Sequence, residues 1–345
     1  MALVDVVMPL YNKAAYVARA IRSIQHQSLS DWRLLVVDDG STDESPEVVK
    51  GIADSRIEMI HQSNQGPGAA RNAGIARAAG KYLSFLDADD EWYPWFLANS
   101  VKALEEKEVG FAASMYYEWP RGEDMTEYWA RREVRTGKYD LKGDEDPIWV
   151  NDLRKVVLAW NVVMQREIAL KYGGFYEKDH CLSGEDTIFF MRLVFNEPFM
   201  IVVPAAVRYH LESSVLGYQS GKVQPIPPYL LDPESVLGYC AGGRREMAQK
   251  VLDYAAVGIG RRLARSGRKI EADDLLRRFP GARTYRRLYY RCRYEIALSR
   301  WVALWVRLKG AAGPAIRSFL RSQRERSKRG PEPPLMPYEQ EEQPD

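Results

Sequence analysis

Residues 82–90 read Tyr-Leu-Ser-Phe-Leu-Asp-Ala-Asp-Asp, an apolar run that ends in three carboxylates within four positions. Residues 34–43, Leu-Leu-Val-Val-Asp-Asp-Gly-Ser-Thr-Asp, have the same design, and residues 4–13, Val-Asp-Val-Val-Met-Pro-Leu-Tyr-Asn-Lys, begin the series. Short β-rich runs separated by longer stretches of helical period mark a parallel sheet covered on both faces. The pattern predicts strands over residues 4–8, 34–37, 57–61 and 82–86, and helices over 15–25, 45–53 and 69–79. Ser45 before Pro46 supplies a capping hydroxyl and a proline at the first helical position. The fold class is therefore α/β. Ligands of open parallel sheets bind at the carboxyl ends of the strands, so the functional residues are sought just after each strand.

Those positions carry chemistry. Asp87, Asp89 and Asp90 offer the hard oxygen ligands that Mg²⁺ or Mn²⁺ prefers, and such ions complete their shell with phosphate oxygens. Acidic clusters also serve as plain helix caps and solvated turns. Asp38 and Asp39 before Gly40 form either a simple turn or an acceptor for a nucleobase N–H. Residues 64–74, Asn-Gln-Gly-Pro-Gly-Ala-Ala-Arg-Asn-Ala-Gly, lead into the third helix, where Arg71 pairs with an acid or meets a diphosphate. Their Gly-Pro-Gly matches neither a dinucleotide fingerprint nor a Walker loop. Glu185 and Asp186 precede a helix with an apolar face of Ile188, Phe189, Met191, Leu193 and Val194, where carboxylates suit the helix dipole. Trp92, Tyr93, Trp95 and Trp160 form an aromatic group, and such runs are more often core than ligand platform.

The 345 residues include 49 Lys+Arg against 47 Asp+Glu and are 46% hydrophobic, which excludes collagen-like, disulfide-framework and wholly disordered classes. Cys181, Cys240 and Cys292 fall in no zinc or disulfide pattern and fit a reducing cytoplasm. The first residues lack a basic segment and are broken by Asp5 and Pro9, so they read as a strand rather than a signal peptide. No stretch approaches the ~18–20 apolar residues of a membrane span.

The near-neutral total hides an uneven distribution: residues 1–260 carry a net −9, residues 261–329 a net +16 and residues 330–345 a net −5. The basic segment mixes arginines with Tyr289, Tyr290, Trp301 and Trp305. It suits an anionic membrane surface, a solvated helical face or, ranked lower, nucleic acid. The Pro- and Glu-rich tail reads as disordered. A mixed region over 150–209 holds a helix at 186–195 and a strand at 200–203, while residues 119–149 read as a polar, irregular lid or acceptor platform.

In their order and spacing, VVMPLYNKAAYVARAIRSIQHQ, LVVDDGSTD, NQGPGAARNAG and YLSFLDADD resemble family 2 glycosyltransferases of the GT-A fold. Gly173-Gly174-Phe175-Tyr176-Glu177, Ser183-Gly184-Glu185-Asp186 and Arg208-Tyr209-His210 with Ser213-Ser214 extend the likeness to about residue 214. The resemblance implies a nucleotide-diphospho-sugar donor, most often UDP-linked, and a divalent metal, Mn²⁺ or Mg²⁺. Pro9, Tyr11 and Asp39 would hold the base, Arg71 would lie near the nucleotide, and Asp87 and Asp89 correspond to the metal motif, with Asp89 the direct ligand. His210 aligns with a histidine that touches metal or diphosphate, joined by Arg208. Asp186 would be the general base and Glu185 would shape the acceptor or donor-sugar side. Trp92, Tyr93, Trp95 and Trp160, unless they are core, would wall sugar rings, and Asn161 would contact the donor sugar.

The organisation expected is a GT-A domain over 1–215 with an insert at about 117–150, a linker over 216–237, a basic helical region over 238–329 and a disordered tail over 330–345. An inverting transferase acting on a glycan or lipid-linked acceptor in cell-envelope synthesis follows, placed in the cytoplasm on the inner face of the membrane. The alternatives are a non-catalytic scaffold of the same fold and a sugar nucleotidyltransferase, whose glycine-rich basic N-terminal loop this sequence lacks.

Overall fold

Strand β1 (Val4–Leu10) is buried at every position but Pro9, as a strand with covered faces on both sides must be. Its one charge, Asp5, survives there because Arg33 donates to it from Nε at 2.8 Å and Nη2 at 3.1 Å, and the amides of Ala79 and Gly80 at 2.6 and 2.7 Å. Burial pushes its pKa up, but these donors outweigh burial and hold it below the ordinary value.

The computed structural model describes residues 2–213 and 225–297 together with Met336. After β1 come α1 (Val17–Gln25), β2 (Trp32–Asp38), α2 (Ser45–Lys50), β3 (Ile57–His61), α3 (Pro67–Arg77), β4 (Tyr82–Phe85), β5 (Glu91–Trp92) and α4 (Phe96–Lys107). Then follow β6 (Phe111–Trp119), β7 (Glu123–Asp124), α5 (Met125–Ala130), β8 (Gly137–Tyr139), α6 (Pro147–Leu153), β9 (Val162–Gln165), α7 (Arg166–Lys171), α8 (Glu185–Asn196) and β10 (Phe199–His210). The helices α9 (Pro228–Leu231), α10 (Glu234–Leu237), α11 (Gly242–Arg265), α12 (Lys269–Arg278) and α13 (Arg286–Ala297) complete the described chain.

The sheet order is β3-β2-β1-β4-β9-β6-β10-β5, with β7 on β6 and β8 on β10. Strands β1 to β4 are mutually parallel, β9 runs antiparallel between β4 and β6, and β6 and β10 are parallel. Strand β10 shifts register between Val202 and Val207, pairing with β8 before the shift and with β5 after it.

The four N-terminal strands stand where the periodicity placed them. Two other expectations change. The insert read as irregular contributes β8 to the sheet, a strand of three residues and too short to show a period. Part of the expected linker is helical: α9 and α10 bury Tyr229, Leu230, Val236 and Leu237, and Arg192 of α8 donates to Ser235 O at 2.7 Å. The prolines that suggested a loop sit at or just before the first helical positions, where a missing N–H costs nothing. The rest of that linker, residues 298–329 and, Met336 aside, the tail lie outside the described residues.

The chain divides into two units, one of Met1–Ser220, Pro227–Ala248 and Pro333–Asp345, the other of Gly221–Ile226 and Gln249–Glu332. The first holds the sheet. In the second, Leu263, Leu275, Leu276, Phe279 and Cys292 form a small core, and α13 turns Tyr290 and Tyr294 outward at 62% and 64% exposure.

Candidate active site

The loops after β1 and β2 are laced together. Asn12 adopts a left-handed φ of 53°, which asparagine tolerates better than most residues. Its Oδ1 accepts from the amides of Thr42 at 2.8 Å and Asp43 at 3.3 Å. Tyr11 beside it is 46% exposed, and Pro9 is half-buried. Asp38 accepts from the Ser41 amide at 3.0 Å and meets His61 Nδ1 at 3.0 Å, so it makes the turn. Asp39 takes three donors at 2.8 Å: Gln62 Nε2 and the amides of Gln65 and Gly66. Gly66 reaches it through a φ of +93°, a conformation that glycine adopts without strain. A carboxylate has about four acceptor positions, so a nucleobase would share Asp39 with the entry to α3.

One turn into α3 the buried Arg71 guanidinium spans the loop after β4 and the start of α8. Its Nη2 donates to Asp87 Oδ1 at 2.5 Å and its Nη1 to Glu185 Oε1 at 2.7 Å. Helix α3 comes close enough to α8 for this because residue 68 is glycine: a Cβ there would lie 2.5 Å from Tyr176 O and 3.2 Å from Glu185 Cγ. Burial works against the Arg71 charge, yet Asp87, Glu185 and Asp186 more than offset it and lift its pKa. Burial, then the charge of Asp186, push the Glu185 pKa up to about 7 against the pull of Arg71. Asp186 is raised by burial too, with Arg71 opposing and Asp87 adding. Asp186 accepts from the Thr187 amide at 2.7 Å through Oδ1, which leaves Oδ2 uncommitted. A basic oxygen beside a fixed cation, at a helix start and at the carboxyl edge of the sheet, is equipped to receive a proton.

Asp89 holds a cation already. Lys13 Nζ lies 2.5 Å from its Oδ2 and 3.0 Å from Ser213 O, and Arg19 Nη2 donates to the Asp89 carbonyl at 2.9 Å. An anionic oxygen that draws an ammonium this close fits a cation-binding role, and Asp87 adds a second hard oxygen. Among the described residues no group of three or more His, Cys, Asp and Glu forms a metal cluster. An ion here would take most of its shell from water and phosphate, as Mg²⁺ usually does.

His210 is engaged with other carboxylates. Its Nε2 meets Glu91 Oε2 at 2.5 Å and its Nδ1 meets Glu212 Oε1 at 2.8 Å, while its amide donates to Asp90 Oδ1 at 2.8 Å. At 2% exposure and with both ring nitrogens engaged, it clasps β10 to β5 and presents no open coordination position. Arg208 lies 3.8 Å from Glu91 and 4.4 Å over the Trp119 ring, equally buried.

Three sugar-contact expectations are corrected by burial. Trp92 is 1% exposed, stacks on Phe96 and donates to Trp160 O at 2.7 Å. Asn161 is fully buried and spends its amide on Ser114 O, Val156 O and the Leu158 N–H at 2.7, 2.8 and 2.9 Å. Trp160 packs between Tyr116 and Tyr209 at 5% exposure. All three are core: Trp92 on the edge strand β5 is covered by Phe96 and Trp160, and Trp160 and Asn161 lie in the turn that leads into the interior strand β9. Lys13, inside a quoted motif, and Glu91, one residue past the end of another, were passed over in the sequence; charged residues beside a strand end were the available signal.

This geometry, a mixed sheet with acidic strand ends and an acidic helix start across from them, is that of a GT-A domain. Residues 5–168, a little under half of the chain, match the family described as Glycosyl transferase family 2. Among relatives, a putative teichuronic acid biosynthesis glycosyltransferase, TuaG of Bacillus subtilis, is 33% identical over 117 residues, 33% of this chain and 46% of TuaG. The matches to Rickettsia glycosyltransferases span only 17–19% of those proteins' length. Among solved structures, S. aureus TarS 1–349 in complex with UDP-GlcNAc superposes with a TM-score of 0.59 at 18% identity, covering 75% of this chain and 72% of that one. Mannosyltransferase PcManGT from Pyrobaculum calidifontis, in complex with GDP-Man and Mn²⁺, gives 0.51 at 16% identity over 94% and 84%.

Proposed function

We propose that the protein is an inverting glycosyltransferase that moves a sugar from a nucleotide-diphospho-sugar, with UDP the favoured nucleotide, to a hydroxyl of a glycan or lipid-linked acceptor in envelope synthesis. The observation that carries this reading is the Arg71 cluster, in which Asp87, Glu185 and Asp186 meet at the sheet's carboxyl edge. The base and ribose lie along Tyr11, Pro9 and Asp39. Asp186 Oδ2 takes the proton as the acceptor oxygen bonds to the anomeric carbon from the face opposite the leaving group. The bond from that carbon to the diphosphate oxygen breaks with its electron pair, and the nucleoside diphosphate departs. Arg71 keeps the Asp186 carboxylate oriented and its charge balanced. A Mn²⁺ or Mg²⁺ ion held by Asp89, with Asp87 beside it, would supply Lewis-acid stabilisation of the leaving diphosphate. Support comes from the family match, from TuaG's name, and from the donors named with TarS and PcManGT.

The basic second unit is read as the membrane-facing part. Arg283, Arg286, Arg287 and Arg291 are exposed around Tyr290 and Tyr294, a composition that suits an anionic headgroup layer. No helix among the described residues is long and apolar enough to cross a membrane.

The test is thermal stabilisation by UDP, GDP, CDP and dTDP with and without Mn²⁺, on wild type and Asp89→Ala. Stabilisation by one diphosphate that needs the metal and disappears in the variant is expected. Indifference to every nucleotide would favour the scaffold.

A further inference from the structure

We propose that Lys13 is a resident cation on Asp89, holding the place of a divalent ion until a donor diphosphate arrives, so that metal and nucleotide enter together. The inference rests on the reading of Asp89 as a metal ligand. Lys13 and Asp89 side chains are 21% and 13% exposed, and Nζ lies 2.5 Å from Oδ2. The lysine is rooted rather than wandering. Its N–H donates to Ser45 Oγ at 2.8 Å, and its carbonyl accepts from the amides of Tyr16 and Val17 at 2.9 and 3.0 Å, where α1 begins. The ammonium also donates to Ser213 O at 3.0 Å, so two elements far apart in sequence fix its head.

A divalent ion of Mg²⁺ size binds a carboxylate oxygen at about 2.0–2.1 Å. An ion on Oδ2 would stand beside an ammonium already 2.5 Å from that oxygen, so two positive charges would crowd one carboxylate. Charge placement points the same way. Lys13 already sits on Asp89 and Arg71 on Asp87, which shares it with Glu185, so an ion arriving alone meets a resident cation at each carboxylate. A diphosphate arriving with the ion brings the missing negative charge and gives the displaced ammonium a partner. Metal and nucleotide therefore favour each other's binding, and by linkage the effect is reciprocal. Lys13 is a positioning residue in this scheme, acting through Asp89.

The experiment measures Mn²⁺ binding to the full chain by the electron paramagnetic resonance signal of free Mn²⁺, with and without UDP or GDP. Lys13→Met is expected to bind Mn²⁺ in the absence of nucleotide about tenfold more tightly than wild type, within the usual range of couplings between sites. Lys13→Arg should stay with wild type, and the gain should vanish in Lys13→Met/Asp89→Asn. The nucleotide's enhancement of Mn²⁺ affinity should shrink in Lys13→Met. Lys13→Gln, which keeps a donor for Ser213 O without the charge, should repeat the gain and guards against a misfolded methionine variant. Neutral variants that melt like wild type but bind Mn²⁺ no more tightly would overturn the proposal. If no variant binds Mn²⁺ even with nucleotide present, the proposal falls together with the metal role of Asp89. Nucleotide binding without metal would still support the transferase reading.

Discussion

Two buried nitrogen-bearing side chains, a guanidinium and an imidazole, sit at the carboxyl edge of the sheet, and they do different things. Arg71 and His210 each join carboxylates from separate elements, Asp87 with Glu185 in one case and Glu91 with Glu212 in the other. Around Arg71 the ring of acids is incomplete: Asp87 is 30% exposed and Asp186 keeps Oδ2 uncommitted. Around His210 every nearby hydrogen-bonding group on the ring is spent, and Glu91 is 3% exposed. A charge cluster becomes reactive where a carboxyl raised by burial lies beside a fixed cation, and becomes a clasp where the central ring has spent both nitrogens, even with Glu212 at its rim 42% exposed.

The sharpest way to break this contrast is Asp186→Asn, expected to lower kcat by about 10²–10⁴-fold, the usual worth of a general base. Nucleotide affinity should be unchanged, and full activity in the variant would remove Asp186 from the chemistry. Arg71→Met should cost about 3–5 kcal/mol of stability in urea unfolding, since it strands two acids that are paired in the fold. His210→Phe should cost about 1–3 kcal/mol through the unanswered Glu91 carboxylate. The Mn²⁺ dependence of any transfer should persist in that variant, and its loss would make His210 a ligand and erase the distinction.

The pH dependence sharpens the same comparison. With the Glu185 pKa pushed up to about 7 and Asp186 raised beside it, kcat/KM should fall as pH drops through that range. The sign for stability is opposite. A carboxyl raised in the fold contributes most below its unfolded value, and that contribution is lost as pH rises towards about 7. Melting temperatures should therefore decline over this window in wild type and stay flatter in Glu185→Gln. The smallest effect is expected for Trp92→Phe, about 1 kcal/mol for the lost bond to Trp160 O, with no change in donor KM.

The N-terminal half was legible because its signals are local. Strands of alternating β and α units carry their period in adjacent residues, and β3 was placed at 57–61 as found. The acids at 87–90 and 185–186 were visible as clusters at element ends. What sequence could not supply was pairing across distance. Lys13 and Asp89 are 76 positions apart, and Arg71 and Glu185 are 114 apart. The misread sugar wall has the same origin: an aromatic such as Trp92 looks alike in a core and on a platform, and only the packing of β5 against β10 decides between them.

Strand β10 ends this account with a consequence for self-association. Its outer margin is shared between β8, three residues long, and β5, two residues long. Between them the bulge exposes Val203 and a proline that has no N–H to offer. At the far side β3 holds Glu58 in ion pairs with Arg33 and Arg77. A ten-stranded sheet would otherwise present two long templates for a foreign strand. Here, among the described residues, one border is cut into fragments and the other is studded with charge, so the wide sheet offers a foreign strand no long, uncharged edge.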